Sequence, residues 1–323
     1  AYNEEALLPA TLERLQEAMQ ATSFTGEVVV CDNNSTDRTA AVAREAGASV
    51  VFEPVNQISR SRNTGARSAA GRFLVFVDAD TEVHTSTIGK IRDFFGARTD
   101  VAALIGAYDD EPAAKNFLSQ YKNLLQHHVH MNAREEGFTF WGACGAIRRN
   151  VFVELGGFNE LRYPRPTIED IELGYRLRDS GGRIRLAREV QVKHHKAWSL
   201  RGVVQSDLLD RGIPWSELIA ARTGSADELN VGWTGRLSVV SVVLLIASLA
   251  LTLVAPRWAL LTVVAMLALL WLNREFYRFL KSKRGAAFLL AAVPLHWLYY
   301  LNCAIAYPVG HLRHWWRTLT VTR

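Results

Sequence analysis

Phe73-Leu74-Val75-Phe76-Val77-Asp78-Ala79-Asp80 decides how the rest of the chain is read. Five apolar residues in a row predict a strand covered on both faces, Phe73–Val77. It runs directly into two carboxylates separated by one small residue. In an open α/β sheet, ligands bind beyond the carboxyl ends of the strands. Asp78 and Asp80 stand at such an end. Two acids at this spacing can converge on one hard cation, Mg²⁺ or Mn²⁺, which takes oxygen ligands and often shares them with a diphosphate. A strand-end turn with two solvated acids is the alternative.

Outward from that strand, strand and helix patterns alternate. Ala6–Ala21 has Leu7, Leu8, Leu12, Leu15 and Met19 on one helical face. Glu27–Val30 reads as a buried strand. Ser35-Thr36-Asp37 then caps a helix that runs through Ala46 and stops at Gly47. Ala48–Phe52 is a second strand, and Arg60–Ala70 a helix ended by Gly71. This alternation predicts an α/β domain with a mostly parallel, Rossmann-like sheet covered by helices on both faces. Farther on, Leu104–Gly106 reads as a strand and Pro112–Met131 as a long helix. Phe138–Arg148 reads as a strand pair, Ile168–Ser180 as a helix and Glu189–Val192 as a strand.

The character changes near Ala197. Leu200–Ile219 is amphipathic, with Trp198 and Trp215 near its ends, which suits a membrane interface or a surface helix packed on the domain. Three apolar stretches follow: Leu237–Ala255, Trp258–Leu272 and Ala286–Gly310. Runs of this kind approach the roughly 20 residues that span a bilayer. The organisation expected is 1–198 for the α/β domain, 199–230 for the interfacial segment and 231–323 for about three hydrophobic helices. The loop Asn273–Gly285 carries Arg274, Arg278, Lys281, Lys283 and Arg284, whereas the Pro256-Arg257 link carries one charge. The positive-inside rule puts the basic loop and the N-terminal domain in the cytoplasm of a multi-pass protein of the inner (plasma) membrane. Three spans then put Arg313, Arg317 and Arg323 on the far side.

Charge supports the same division. Residues 1–255 hold 28 Lys and Arg against 31 Asp and Glu, while residues 256–323 hold 9 against 1. The positive charge therefore lies outside the α/β domain, which argues against nucleic-acid binding. Cys31, Cys144 and Cys303 are isolated and form neither a disulfide framework nor a thiolate zinc motif. Neither a P-loop signature nor a strand followed by G-x-G-x-x-G is present.

Other candidate residues sit near predicted strand ends. Asp32 and Asn33 can pair with a base or ribose edge, or serve only the helix start. Arg62 suits phosphate oxygens, with Asn63 beside it. Glu169 and Asp170 open a helix; Asp170 can remove a proton from an acceptor hydroxyl, or both acids can serve the helix dipole. His194 and His195 can contact a metal or a phosphate.

Together these segments resemble the family 2 glycosyltransferases, with a GT-A nucleotide-sugar domain. The matching stretches are AYNEE at 1–5, VVVCDNNSTDRT at 28–39 and SRSRNTGARSAAGRFLVFVDAD at 59–80. GACGAIRRNVFVELGGFNE at 142–160, IEDIELGYRLRDSGGRI at 168–184 and VKHHKAW at 192–198 complete them. The resemblance implies a nucleotide-sugar donor bound near Ala1, Tyr2, Glu4, Asp32, Asn33, Arg62, Asn63 and Asp78. It implies a Mg²⁺ or Mn²⁺ ion at Asp80, Asp78 and His194, with Asp80 the stronger ligand. Asp170 would be the catalytic base, supported by Glu169, and Trp141, Gly142 and Ala143 would line the sugar or acceptor pocket. The implied acceptor is lipid-linked or a membrane-delivered glycan, with the lipid bilayer as a further partner and UDP as the default nucleotide.

Three features depart from the family pattern. Asp32-Asn33 stands where many members have two acids. AYNEE has no initiator Met, and the first strand of the sheet is expected before Ala1. Asp210–Trp215 lacks the Q-x-x-R-W of processive synthases. A sugar nucleotidyltransferase and an inactive nucleotide-sugar sensor in a membrane protein are the alternative functions.

Overall fold

The computed structural model describes residues 1–22, 25–222 and 232–321. The chain divides into two compact units, Ala1–Ala197 and Trp198–Arg323.

The first unit begins with α1 (Leu8–Gln20), β1 (Val29–Asp32), α2 (Thr39–Glu45), β2 (Ser49–Phe52), α3 (Ile58–Ser68) and β3 (Phe73–Val77). There follow β4 (Thr81–Val83), α4 (Thr87–Ala97), β5 (Ala103–Tyr108) and α5 (Phe117–Asn132). β6 (Glu136–Gly137), β7 (Cys144–Arg148), α6 (Arg149–Glu154), α7 (Glu169–Asp179) and β8 (Ile184–His194) complete it. β3 has the predicted bounds, because an uninterrupted apolar run leaves few alternatives. β1 lies two residues later than expected. Asp37 serves the start of α2 as expected, its Oδ1 accepting from Thr39 N–H (2.9 Å); Ser35 instead holds the chain opposite, its Oγ accepting from Asn3 N–H, as Asp37 Oδ2 does from Glu5 N–H (both 3.1 Å).

The α/β class stands, but the mostly parallel sheet does not. β1 pairs with β2 in parallel, and β5 with β8. The other pairings, β3–β7, β5–β7, β4–β8 and β6–β8, are antiparallel. The larger sheet runs β3-β7-β5-β8-β4. Nor is Phe138–Arg148 a strand pair: it holds the single strand β7, which inserts between β3 and β5. Alternating strand and helix patterns do not report that a late strand returns into the middle of the sheet.

The core lies under β5, β7 and α7, where Leu104, Ile147 and Leu173 are fully buried. Each such side chain contributes about 1.5–3 kcal/mol of burial. β5 shifts register against β8 between Ile105 and Ala107. Gly106 is required there, since a Cβ would lie 2.5 Å from the Val190 carbonyl oxygen. β1 and β3 are not hydrogen-bonded to each other. A cavity of about 460 Å³ lies beside them, lined by both strands and by Leu8, Leu12 and Ile91.

The second unit opens with α8 (Leu200–Val204), a π-helical segment Gln205–Gly212 and α9 (Ile213–Ala220). The expected interfacial stretch is thus helical over Leu200–Ala220, and its portion 223–230 lies outside the described residues. α10 (Trp233–Val254), a 3₁₀ turn Pro256–Trp258, α11 (Ala259–Leu272) and α12 (Arg274–Val321) follow. α10 and α12 are long and apolar enough to cross a membrane; α11 is a shorter apolar helix.

The expected basic loop Asn273–Gly285 is instead helical up to Gly285. Backbone bonds from Asn273 N–H to Leu269 (3.2 Å) and from Tyr277 N–H to Asn273 (3.0 Å) carry the helix across from α11. Residues Arg274–Arg284 contain no breaker, so charge alone does not end the helix. Gly285, at φ 84°, does interrupt it. There α12 folds back: Tyr277 and His296, 19 positions apart, meet through Tyr277 OH and Nδ1 at 3.2 Å. Tyr300 OH donates to Asn273 Oδ1 (2.6 Å), and Asn273 Nδ2 donates to Ser238 Oγ (3.1 Å), joining α10 to this pair. Such satisfied polar links hold apolar helices together.

Candidate active site

The turn Asp78-Ala79-Asp80 separates β3 from β4 and directs its two acids to different partners. Its backbone closes through Thr81 N–H to Asp78 O (3.0 Å), reinforced by Thr81 Oγ1 (2.7 Å). Asp80 faces His194, the last residue of β8, with Oδ2 and Nε2 3.6 Å apart. Burial would raise the Asp80 carboxyl, but His194 and the Lys196 charge outweigh it and hold it below the usual carboxylate range. Nearby, burial and the Asp80 charge push Glu4 upward.

Asp78 faces Arg62 on α3, Oδ1 to Nη2 at 2.9 Å. The same guanidinium donates through Nη1 to Glu169 Oε1 (2.8 Å), and Glu169 is buried. Burial works against the charge on Arg62, yet Asp78, Glu169 and Asp170 more than offset it and keep the cation protonated. Arg62 also lies over the Phe158 ring, 5.4 Å from its centroid. Asp170, at the start of α7, accepts from Gly142 N–H through Oδ2 (3.1 Å) and from Ile171 N–H through Oδ1 (2.8 Å). Gly142 has room for no side chain: a Cβ would lie 2.4 Å from Arg62 Cζ.

The structure therefore brings Asp78, Arg62, Glu169, Asp170 and Gly142 into one cluster and joins Asp80 to His194 in another. The Asp78 side chain neutralises Arg62. Arg62 in turn is held by two carboxylates rather than left open for phosphate. The Asn63 side chain bonds the segment that follows α6. Its Nδ2 donates to Phe158 O (2.9 Å) and Glu160 Oε1 (2.8 Å), and its Oδ1 accepts from Phe158 N–H (2.9 Å). It pins the 157–160 loop, aided by Gln57, which donates to Glu160 O (2.6 Å) and Tyr163 O (2.7 Å).

Asp32 is buried at the end of β1, where Oδ1 accepts from Ser35 N–H (3.1 Å), and the Asn33 amide meets that of Asn56 (3.0 Å). Ala1 lies along β1: its nitrogen donates to Cys31 O (2.7 Å) and its carbonyl accepts from Asn33 N–H (2.8 Å). Tyr2 is exposed, while Trp141 is buried with its ring edge-on to Tyr108 (4.7 Å between centroids). Sequence reasoning missed Gln57, Tyr108 and Lys196. Only Lys196 carried a signal, its place beside His194 and His195.

Asp80 and His194 supply a carboxylate oxygen and an imidazole nitrogen within reach of one ion. That donor pair suits Mn²⁺, and also Mg²⁺ with most of its ligands from elsewhere. Among the described residues no group of three or more His, Cys, Asp or Glu side chains gathers to hold an ion.

The arrangement of sheet and helices is that of the GT-A fold. Over 98% of its length the chain is similar in fold to the mannosyltransferase PcManGT from Pyrobaculum calidifontis in complex with GDP-Man and Mn²⁺. The TM-score is 0.52 and the identity 19%, over 85% of that chain. Residues 1–156 match the model of glycosyl transferase family 2. An uncharacterized glycosyltransferase of Mycobacterium tuberculosis is 35% identical over 89 residues, 28% of this chain and 38% of that protein. The undecaprenyl-phosphate 4-deoxy-4-formamido-L-arabinose transferase of Pectobacterium carotovorum is 26% identical over 132 residues, 38% of this chain and 40% of that protein. The matched region thus spans about two fifths of these relatives.

Proposed function

We propose that the protein transfers a sugar, with inversion, from a nucleoside-diphosphate sugar to a lipid-linked or membrane-delivered acceptor. The observation that carries this reading is the turn after β3. It places Asp80 with His194, and Asp78 through Arg62 with the Glu169–Asp170 pair, so donor-side and acceptor-side acids share one frame. Asp80 and His194 would hold Mg²⁺ or Mn²⁺, which when bound neutralises charge growing on the departing diphosphate. UDP is the default nucleotide, with Asp32 and Asn33 nearest its base.

Asp170 takes the proton of an acceptor hydroxyl while that oxygen attacks the anomeric carbon. The bond from that carbon to the diphosphate oxygen breaks on the opposite face, and the nucleoside diphosphate leaves with the bonding pair. Both Asp170 oxygens already accept backbone N–H bonds, which aims the carboxylate. Glu169, held by Arg62 and by Thr167 N–H (2.9 Å), fixes the start of α7 beneath it.

The Pectobacterium relative, named for an undecaprenyl-phosphate acceptor, favours a second form of the reading. A lipid phosphate is already ionised and needs little base help. Asp170→Asn separates the two: a loss of about 10²-fold or more in kcat marks a hydroxyl acceptor, and a loss under tenfold marks a phosphate. Labelled nucleotide sugars offered with a lipid extract supply the assay. Unchanged transfer by Asp80→Ala, or release of pyrophosphate instead of a nucleoside diphosphate, would exclude the proposal. We place the protein in the inner (plasma) membrane as a multi-pass protein with residues 1–197 on the cytoplasmic side, supported by the basic run Arg274–Arg284.

A further inference from the structure

His194 supplies one of the two side chains assigned to the metal corner, so the orientation of its imidazole matters. Its main chain is fixed twice over. The β4–β8 register sets Thr81 opposite His194, and His195 N–H donates to Asp80 O at 2.9 Å. With the backbone strapped to Asp80, only two side-chain torsions remain free to vary.

The sheet places one neighbour to restrict them. In the parallel β5–β8 pairing Tyr108 stands opposite Val192. Residues 192 and 194 share a face of the strand, so Tyr108 lies diagonally beside His194. Their rings stack, with centroids 4.3 Å apart and planes 12° apart. Behind Tyr108, Trp141 packs edge-on at 4.7 Å and 80°. Trp141 is joined directly to Gly142, whose N–H holds Asp170.

We infer that Tyr108 is a positioning residue for this site. Its ring sets the plane of the His194 imidazole so that Nε2 faces Asp80, and through Trp141 it ties that corner to the segment holding Asp170. This inference rests on the reading of Asp80 and His194 as the holders of a divalent cation. Groups that orient a metal ligand typically affect metal affinity by 10–100-fold.

The test is Mn²⁺ titration of the purified full chain in detergent, with free Mn²⁺ read by electron paramagnetic resonance. Tyr108→Leu weakens Mn²⁺ binding by about tenfold or more, whereas Tyr108→Phe, which keeps the ring, stays within about threefold of wild type. His194→Ala weakens binding as well, and Tyr108→Leu added to it produces no further loss. Tyr108→Met takes the place of Leu if the first variant does not fold. A merely structural role would lower the melting temperature and leave the Mn²⁺ affinity of the folded protein unchanged. Wild-type affinity in Tyr108→Leu, together with weak binding in His194→Ala, would overturn the inference and leave the proposed function intact. Unchanged affinity in both Asp80→Ala and His194→Ala would remove the metal reading, and the role of Tyr108 with it.

Discussion

Replacing Gly142 by alanine puts one methyl group against the most heavily engaged cation of the site. The added carbon would lie 2.4 Å from Arg62 Cζ and Nη2 and 2.6 Å from Nη1. Ordinary contact begins near 3.4 Å, so guanidinium and backbone must part by about 1 Å. Arg62 has no easy retreat, because Asp78 and Glu169 hold it at 2.9 and 2.8 Å. A shift of that size stretches at least one charge-assisted bond beyond useful length, at about 1.5–3 kcal/mol. If the backbone yields instead, the Gly142 N–H moves away from Asp170. Misplacement by about 1 Å costs roughly 10²-fold in rate. Gly142→Ala is therefore expected to lose about 2 kcal/mol of stability in urea titration and about 10²-fold in kcat for sugar transfer. A variant with wild-type midpoint and kcat within threefold would refute this account of the Arg62 hub.

Two further outcomes follow from titrating groups. Burial would raise Glu82, but hydrogen bonds from Arg14 (2.9 Å) and His195 (2.6 Å) outweigh it and depress its pKa. Its contribution is therefore complete above about pH 4.3, the unfolded value, and is lost as pH falls through the lower folded value. Glu82→Gln should cost up to about 1 kcal/mol at pH 7, since Arg14 is half-exposed, and nothing at pH 2, as read by urea titration at both. Cys144, buried in β7, has its thiol pushed up to about 12 by burial first and by Asp78 second. Native protein at pH 8 should leave Cys144 unlabelled by iodoacetamide while unfolded protein labels fully; native labelling found by mass spectrometry would contradict the packing of β7.

The legible parts of the fold were those written in contiguous residues. An apolar run marks β3 without help from distant contacts, and the acids that follow it mark a strand end. The direction of β7 was not legible, because its partners are 40 or more residues away and its own five residues fit either orientation. The same limit applies to the site. Arg62 beside Asn63 looks like a phosphate grip when read locally, yet its second carboxylate partner lies 107 positions downstream. Tyr108 reads as one more core residue at the end of a strand; only the β5–β8 register reveals its neighbour. In the second unit, charge density suggested a loop, but helix endings depend on a breaker, and that breaker is Gly285.

The fold-back at Gly285 makes the basic run the apex of a helical hairpin rather than a strap between spans. Lys281, Lys283 and Arg284 cluster at that apex, where they can anchor among anionic headgroups. From Gly285 to Gly310 the returning limb rises about 38 Å at 1.5 Å per residue, more than the roughly 30 Å of hydrocarbon. At its far end Arg317 Nη1 donates to Glu217 Oε1 of α9, and Trp315 and Trp316 beside it are exposed. One glycine thereby keeps the two cationic clusters of the unit apart, one at the apex of the hairpin and one against α9.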